Sequence, residues 1–197
     1  MILEVLIISI IAGWVRKGEL QNLKNIDFKG LFFIVLGIIL NSFLLYFIGN
    51  SNSNLSNILY NYLNVFQFFT LFLVIIGLLF NYKESSFVIT SFGIFLNLIP
   101  ITLNQGKMPV AKWALQAVGL DEIIIKVQQN VVVDRILITA ETNLNFLGDI
   151  IPIEYPFPKV ISLGDIAISI GIFLIIQKYM TLPKPLQDWW IRCKIVV

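Results

Sequence analysis

Two aspartates carry the most pointed chemistry in this 197-residue chain. Asp149 follows Phe146-Leu147-Gly148, and Asp165 follows Ile161-Ser162-Leu163-Gly164 at the start of a long apolar run. Between them lie Pro152, Pro156 and Pro158. Proline keeps itself and the residue before it out of helix, so residues 150–160 are expected to be extended and able to double back. Two carboxylates held close in a low dielectric cannot both ionise, and such a pair can act as acid and base on a water. That is what an aspartyl hydrolase requires, so Asp149 and Asp165 are the catalytic candidates. A plainer reading stands beside it. Ser162-x-x-Asp165 is also a capping box, and Asp149 after Gly148 is also a turn aspartate. Asn97, Asn104, Arg135 and Ser162 are the polar side chains placed to orient a substrate. The chain has no His and a single Cys193, which removes imidazole chemistry, internal disulfides and Cys-cluster metal sites. No cofactor and no metal are expected.

The elements that must position these residues follow from composition. The chain is 57% hydrophobic and only 13% charged, with mean hydropathy +0.85. Soluble domains average about 45–50% apolar and about 25% charged. A water-facing surface cannot be made from that stock, and neither a soluble enzyme nor a nucleic-acid binder fits. The expectation is an all-α polytopic membrane protein. Runs long enough to cross a bilayer as helices fall at about 1–15, 30–49, 63–80, 86–103 and 162–179. The first is short, and Arg16 and Lys17 would reach the headgroups from its end. Pro100 removes one helical hydrogen bond, so a kink is expected in the fourth run. Asn97 and Asn104 share a face across it.

Orientation is read from Lys and Arg in the short connections. Nine basic residues fall in the 16–29 loop, the 81–85 turn and the C-terminal stretch from Lys178 to residue 197, while the 50–62 loop has none. This implies five spans in the cell membrane, the N-terminus outside and the C-terminus cytoplasmic. The tail's Trp189-Trp190 beside Arg192 and Lys194 suits an interfacial anchor. Residues 104–161 then form an outer cap. Pro109 to Gly119 reads as a short interfacial helix, with Val110, Trp113, Ala114, Ala117 and Val118 as its apolar stripe and Trp113 as the anchor. Ile123–Val127, Val131–Val133 and Ile136–Thr139 are β-branched and read as strands of a small sheet.

Two resemblances sharpen the picture. Asn104-x-Gly106-x-Met108-Pro109-Val110, with the Ser162-x-Gly164-Asp165 opening of the last span, resembles a family of small bacterial membrane proteins of unknown function. Locally, Phe146 to Ile151, then Pro156-Phe157-Pro158, then Ile161 to Ile168 resembles the end of the type II lipoprotein signal peptidases. Asn104-x-Gly106 and Asn130 to Arg135 resemble two further elements of that family. The second resemblance implies that Asp149 and Asp165 are a catalytic pair at the outer surface. Ser162 stands where those peptidases have Asn, and the span pair between two of their elements is missing here.

Two functions therefore stand open. One is an outer-face hydrolase or peptidase-like site acting on a lipid or a lipidated peptide. The other is a non-catalytic subunit, sensor or immunity-type protein, whose outer segment binds membrane lipid or a membrane protein partner.

Overall fold

A computed structural model describes residues 1–26, 28–50 and 53–181. It is mostly helical. The elements in order are α1 (Ile2–Val15), a 3-10 turn (Leu20–Asn25), α2 (Leu31–Asn50), α3 (Asn54–Asn61), α4 (Leu63–Leu79), α5 (Ser85–Leu103), β1 (Met108–Val110), α6 (Lys112–Ala117), α7 (Asp121–Gln128), β2 (Arg135–Leu137), a 3-10 turn (Asn145–Leu147), β3 (Ile151–Ile153), β4 (Lys159–Ile161) and α8 (Leu163–Met180). The double-Trp tail lies outside the described residues.

Among the described residues three helices are long and apolar enough to cross a membrane: α2, α5 and α8. Helices α3 and α4 are bent by 69° to each other and together make up a fourth candidate. Helix α1 has 14 residues, fewer than the about 17 that a span ordinarily needs. The five apolar segments of the sequence are thus all helical, and three or four of them meet the length for crossing.

Side-chain links show how the five long helices alternate. At one end, Glu4 of α1 pairs with Lys159 of β4. Leu44 and Ile48 of α2 pack there with Leu63 of α4 and Val133. At the other end, Arg16 Nη1 donates to Gln177 Oε1 at 3.1 Å, Asn81 Nδ2 donates to Lys29 O at 2.7 Å, and Lys178 pairs with Glu84. The cap sits at the first end. Arg16, Lys29, Lys83 and Lys178 collect at the second.

The cap has its own core of Val110, Ala111, Ala114, Leu115, Val118, Ile124 and Val160. β1 and β2 pair in parallel across the α6–α7 crossover, with Met108 opposite Arg135. β3 and β4 form an antiparallel hairpin, with Ile151 opposite Ile161. Residues 150–160 are extended around that hairpin, as the prolines required.

Several expectations for the cap need correction. The run Ile123–Val127 is not a strand; it lies in α7. Asp121 and Glu122 occupy that helix's first turn and Lys126 its last, and Lys126 pairs with Glu122 at 3.1 Å. Charges matched to the helix dipole and an i,i+4 pair outweigh the β-branched preference. Val131–Val133 is not a strand either. Asn130 adopts positive φ, and Val131 N bonds back to Lys126 O at 2.9 Å, which closes the helix instead. The strand expected at Ile136–Thr139 is present as Arg135–Leu137. The helix expected from Pro109 starts only at Lys112, because Met108–Val110 is claimed by β1. Its buried face is Ala114 and Leu115, while Trp113 is 61% exposed. Helix α5 continues through Pro100 to Leu103.

Candidate functional site

The site is built where the cap's sheet meets the tops of α5 and α8. Asp149 is held first by its backbone. Its N–H donates to Pro109 O at 2.8 Å, and its C=O accepts from Ala111 N at 2.9 Å, in a parallel bridge to Val110. β1 is thereby bonded on one edge to β2 and on the other to Asp149. Gly148 is required next to it, since a Cβ there would overlap Pro109 O. The Asp149 residue is only 4% exposed. Its Oδ2 lies 3.5 Å from Arg135 Nη2, reaching across β1.

Burial pushes the Asp149 carboxyl up to about 7 from its ordinary 3.8. Arg135 acts in the opposite direction, and the negative charges of Asp165 and Asp134 add to the rise. The ion pair with Arg135 and the loss of hydration pull the carboxyl in opposite directions. Exposure decides between them. The Arg135 side chain is a third exposed and water screens its attraction, while the carboxylate itself has lost its hydration.

Asp165 sits differently. Ser162 is the N-cap of α8: its Oγ accepts from Asp165 N at 3.0 Å, and Asp165 Oδ2 accepts from Ser162 N at 3.3 Å. This is the reciprocal capping box expected from Ser162-x-x-Asp165. The other oxygen, Oδ1, accepts from Asn97 Nδ2 at 3.0 Å, and Asn97 Oδ1 accepts from Ser162 Oγ at 2.7 Å. One amide on α5 thus grips both members of the cap on α8. Gly164 makes that possible, because a Cβ there would overlap Asn97 Oδ1.

Asn104 is also fully engaged. Its Nδ2 donates to Pro100 O at 2.7 Å and to Asn143 O at 2.9 Å, and its Oδ1 accepts from Asn143 N at 2.8 Å. It clamps the 139–145 loop to the end of α5.

The six sequence candidates therefore divide into three groups. Asn97, Ser162 and Asp165 share one hydrogen-bond network. Arg135 and Asp149 form an ion pair that feels the Asp165 charge. Asn104 belongs to a separate clamp. Both aspartates are anchored at the same hairpin, since Ile150 N donates to Ile161 O at 3.2 Å, next to Asp149 and Ser162 respectively. Among the described residues no group of three or more His, Cys, Asp or Glu side chains could hold a metal ion.

Sequence reasoning missed Lys107, Tyr60 and Asn64. They line a cleft of about 400 Å³ at the bend between α3 and α4. The signal was the Asn-rich stretch around 61–64 facing a turn with a lone lysine, which is only visible once the bend is known.

Comparisons with known proteins add ancestry. A family of unknown function (DUF5317) matches residues 25–177. An uncharacterised protein of Thermotoga maritima is 23% identical over 179 residues, covering 88% of this chain and 89% of the relative. No solved structure matches.

Proposed function

Because the chain belongs to the DUF5317 family, whose function is unknown, we propose a reading from geometry alone. The protein is a five-crossing membrane protein of the cell membrane, with its N-terminus and residues 104–161 outside. Its outer cap is a non-enzymatic binding module for membrane lipid or a membrane-embedded partner. One observation carries this. The tip of the β3–β4 hairpin bears Tyr155, 82% exposed, and Phe157, 65% exposed, beside the Lys159–Glu4 pair that ties it to the first turn of α1. Two exposed aromatic rings at that point suit the layer where a bilayer meets water, which such rings favour, and this supports the reading. A bimane attached at Phe157→Cys, in a Cys193→Ser background, should be quenched by a lipid-borne nitroxide near the headgroups. Quenching by aqueous iodide alone overturns this placement.

A second reading has its own support. An Asp149 carboxyl lifted to about 7, next to the charge of Asp165, is the asymmetry that an acid–base pair needs. The ties of both Asp165 oxygens to Ser162 and Asn97 weigh against it, because a base must be free to reach a water. A hydrolase would lose activity entirely on Asp165→Asn. In the binding reading that variant keeps its ligand, and its stability falls by only about 1 kcal/mol for one weakened hydrogen bond.

A further inference from the structure

We infer that the cleft at the α3–α4 bend binds the glycerophosphate headgroup of an anionic lipid. Its lining is Tyr60 and Asn61 from the end of α3, Asn64 and Val65 from the start of α4, and Gln105 and Lys107 from the turn after α5. Lys107 Nζ donates to Tyr60 Oη at 2.6 Å and lies 4.9 Å from the centre of that ring. Among the described residues no carboxylate pairs with it, so its charge is left for an anion. Asn64 Oδ1 is buried and has no hydrogen-bond partner among the described residues. A buried acceptor without a donor is costly.

The cleft thus asks for two things at once, a negative charge for Lys107 and a donor for Asn64. An ionised phosphodiester supplies the first and has no proton for the second. A hydroxyl on the same ligand supplies that donor once the Asn64 amide turns into the cleft it lines, which is the chemistry of a phosphoglycerol head. Asn61 and Gln105 can each give and accept further hydrogen bonds to a polyol. A phosphocholine head meets only the first demand: its phosphodiester is anionic, but it has no donor for Asn64, and its own cation offsets the charge offered to Lys107. The apolar side of the cleft agrees. Val65 lines it and is largely exposed, and Phe69 lies exposed one turn further along α4, where acyl chains would run. A bend in a membrane-embedded helix pair is tolerated where the backbone lines a cavity, and this one does.

The inference rests on the five-crossing reading only for which leaflet supplies the lipid. Headgroup selectivity in detergent is independent of orientation, so the two can fail separately. The test uses the full chain purified in detergent, supplied with phosphatidylglycerol, phosphatidylcholine or soluble glycerol phosphate. Bound lipid is counted by native mass spectrometry. Phosphatidylglycerol should be retained about tenfold better than phosphatidylcholine. Lys107→Gln and Asn64→Leu should each remove that preference. Lys107→Arg should keep it, and Lys24→Gln, an equal loss of charge outside the cleft, should leave it unchanged. Equal retention of the two lipids overturns the inference, as does an undiminished preference in both Lys107→Gln and Asn64→Leu. Displacement of the lipid by soluble glycerol phosphate at matched concentration overturns the lipid source.

Discussion

Asp149 is the residue where burial and charge oppose each other most directly. In the unfolded chain its carboxyl titrates near 3.8; in the fold it does so near 7. Between those values the folded protein holds a proton that the unfolded chain has released. Stability from this group is therefore complete below pH 3.8 and is lost as pH rises through about 7, a change on the order of 4 kcal/mol. Thermal unfolding in detergent should show a melting temperature that falls from pH 5 to pH 8, and Asp149→Asn should flatten that fall. A wild-type curve equally flat over this range would contradict the burial argument. Little of this was legible in sequence. Gly148-Asp149 reads as a turn, and only the insertion of Asp149 beside β1 takes its carboxyl out of water. Asp165 is the opposite case. Ser162-x-x-Asp165 is a local motif, its partners are three residues apart, and the reciprocal cap was readable without any tertiary knowledge.

At the scale of elements, the α5–α8 contact is what gives the Asn97 network its geometry. Gly164 faces both Asn97 Oδ1 and Gly93 O, the latter a backbone atom that cannot swing aside. Gly164→Ala should therefore push the helices apart and break the Asn97 bridge, at about 1–3 kcal/mol. Leu163→Ala, at a largely exposed neighbour, should cost much less. The check is the pair of melting temperatures in one detergent, and equal values for both variants would contradict the tight packing. Sequence patterns served these apolar helices well, because a long apolar run has one stable form in lipid. They served the cap poorly. The run Ile123–Val127 is β-branched, yet its flanking charges and the Asn130 cap make it helical. Pro109 marked an element boundary correctly but belongs to β1, whose partner β2 lies 27 residues further along. Pairings of that range leave no local trace.

For the whole molecule, the links between helix ends set α1, α2, α4, α5 and α8 in alternation, with cations gathered at the end away from the cap. The same asymmetry was present in the sequence as nine basic residues in three connections. What the sequence could not supply was helix α3 (Asn54–Asn61) within the charge-free 50–62 stretch, and its 69° bend to α4, where the cleft lies. The central claim is that these helices cross the bilayer five times with the cap outside. Single cysteines at Ser53 and Ser85, in a Cys193→Ser background, test it most directly with a membrane-impermeant thiol reagent on intact cells. The account predicts labelling at position 53 and protection at position 85 until the cells are opened. Labelling at 85 with protection at 53 would contradict it.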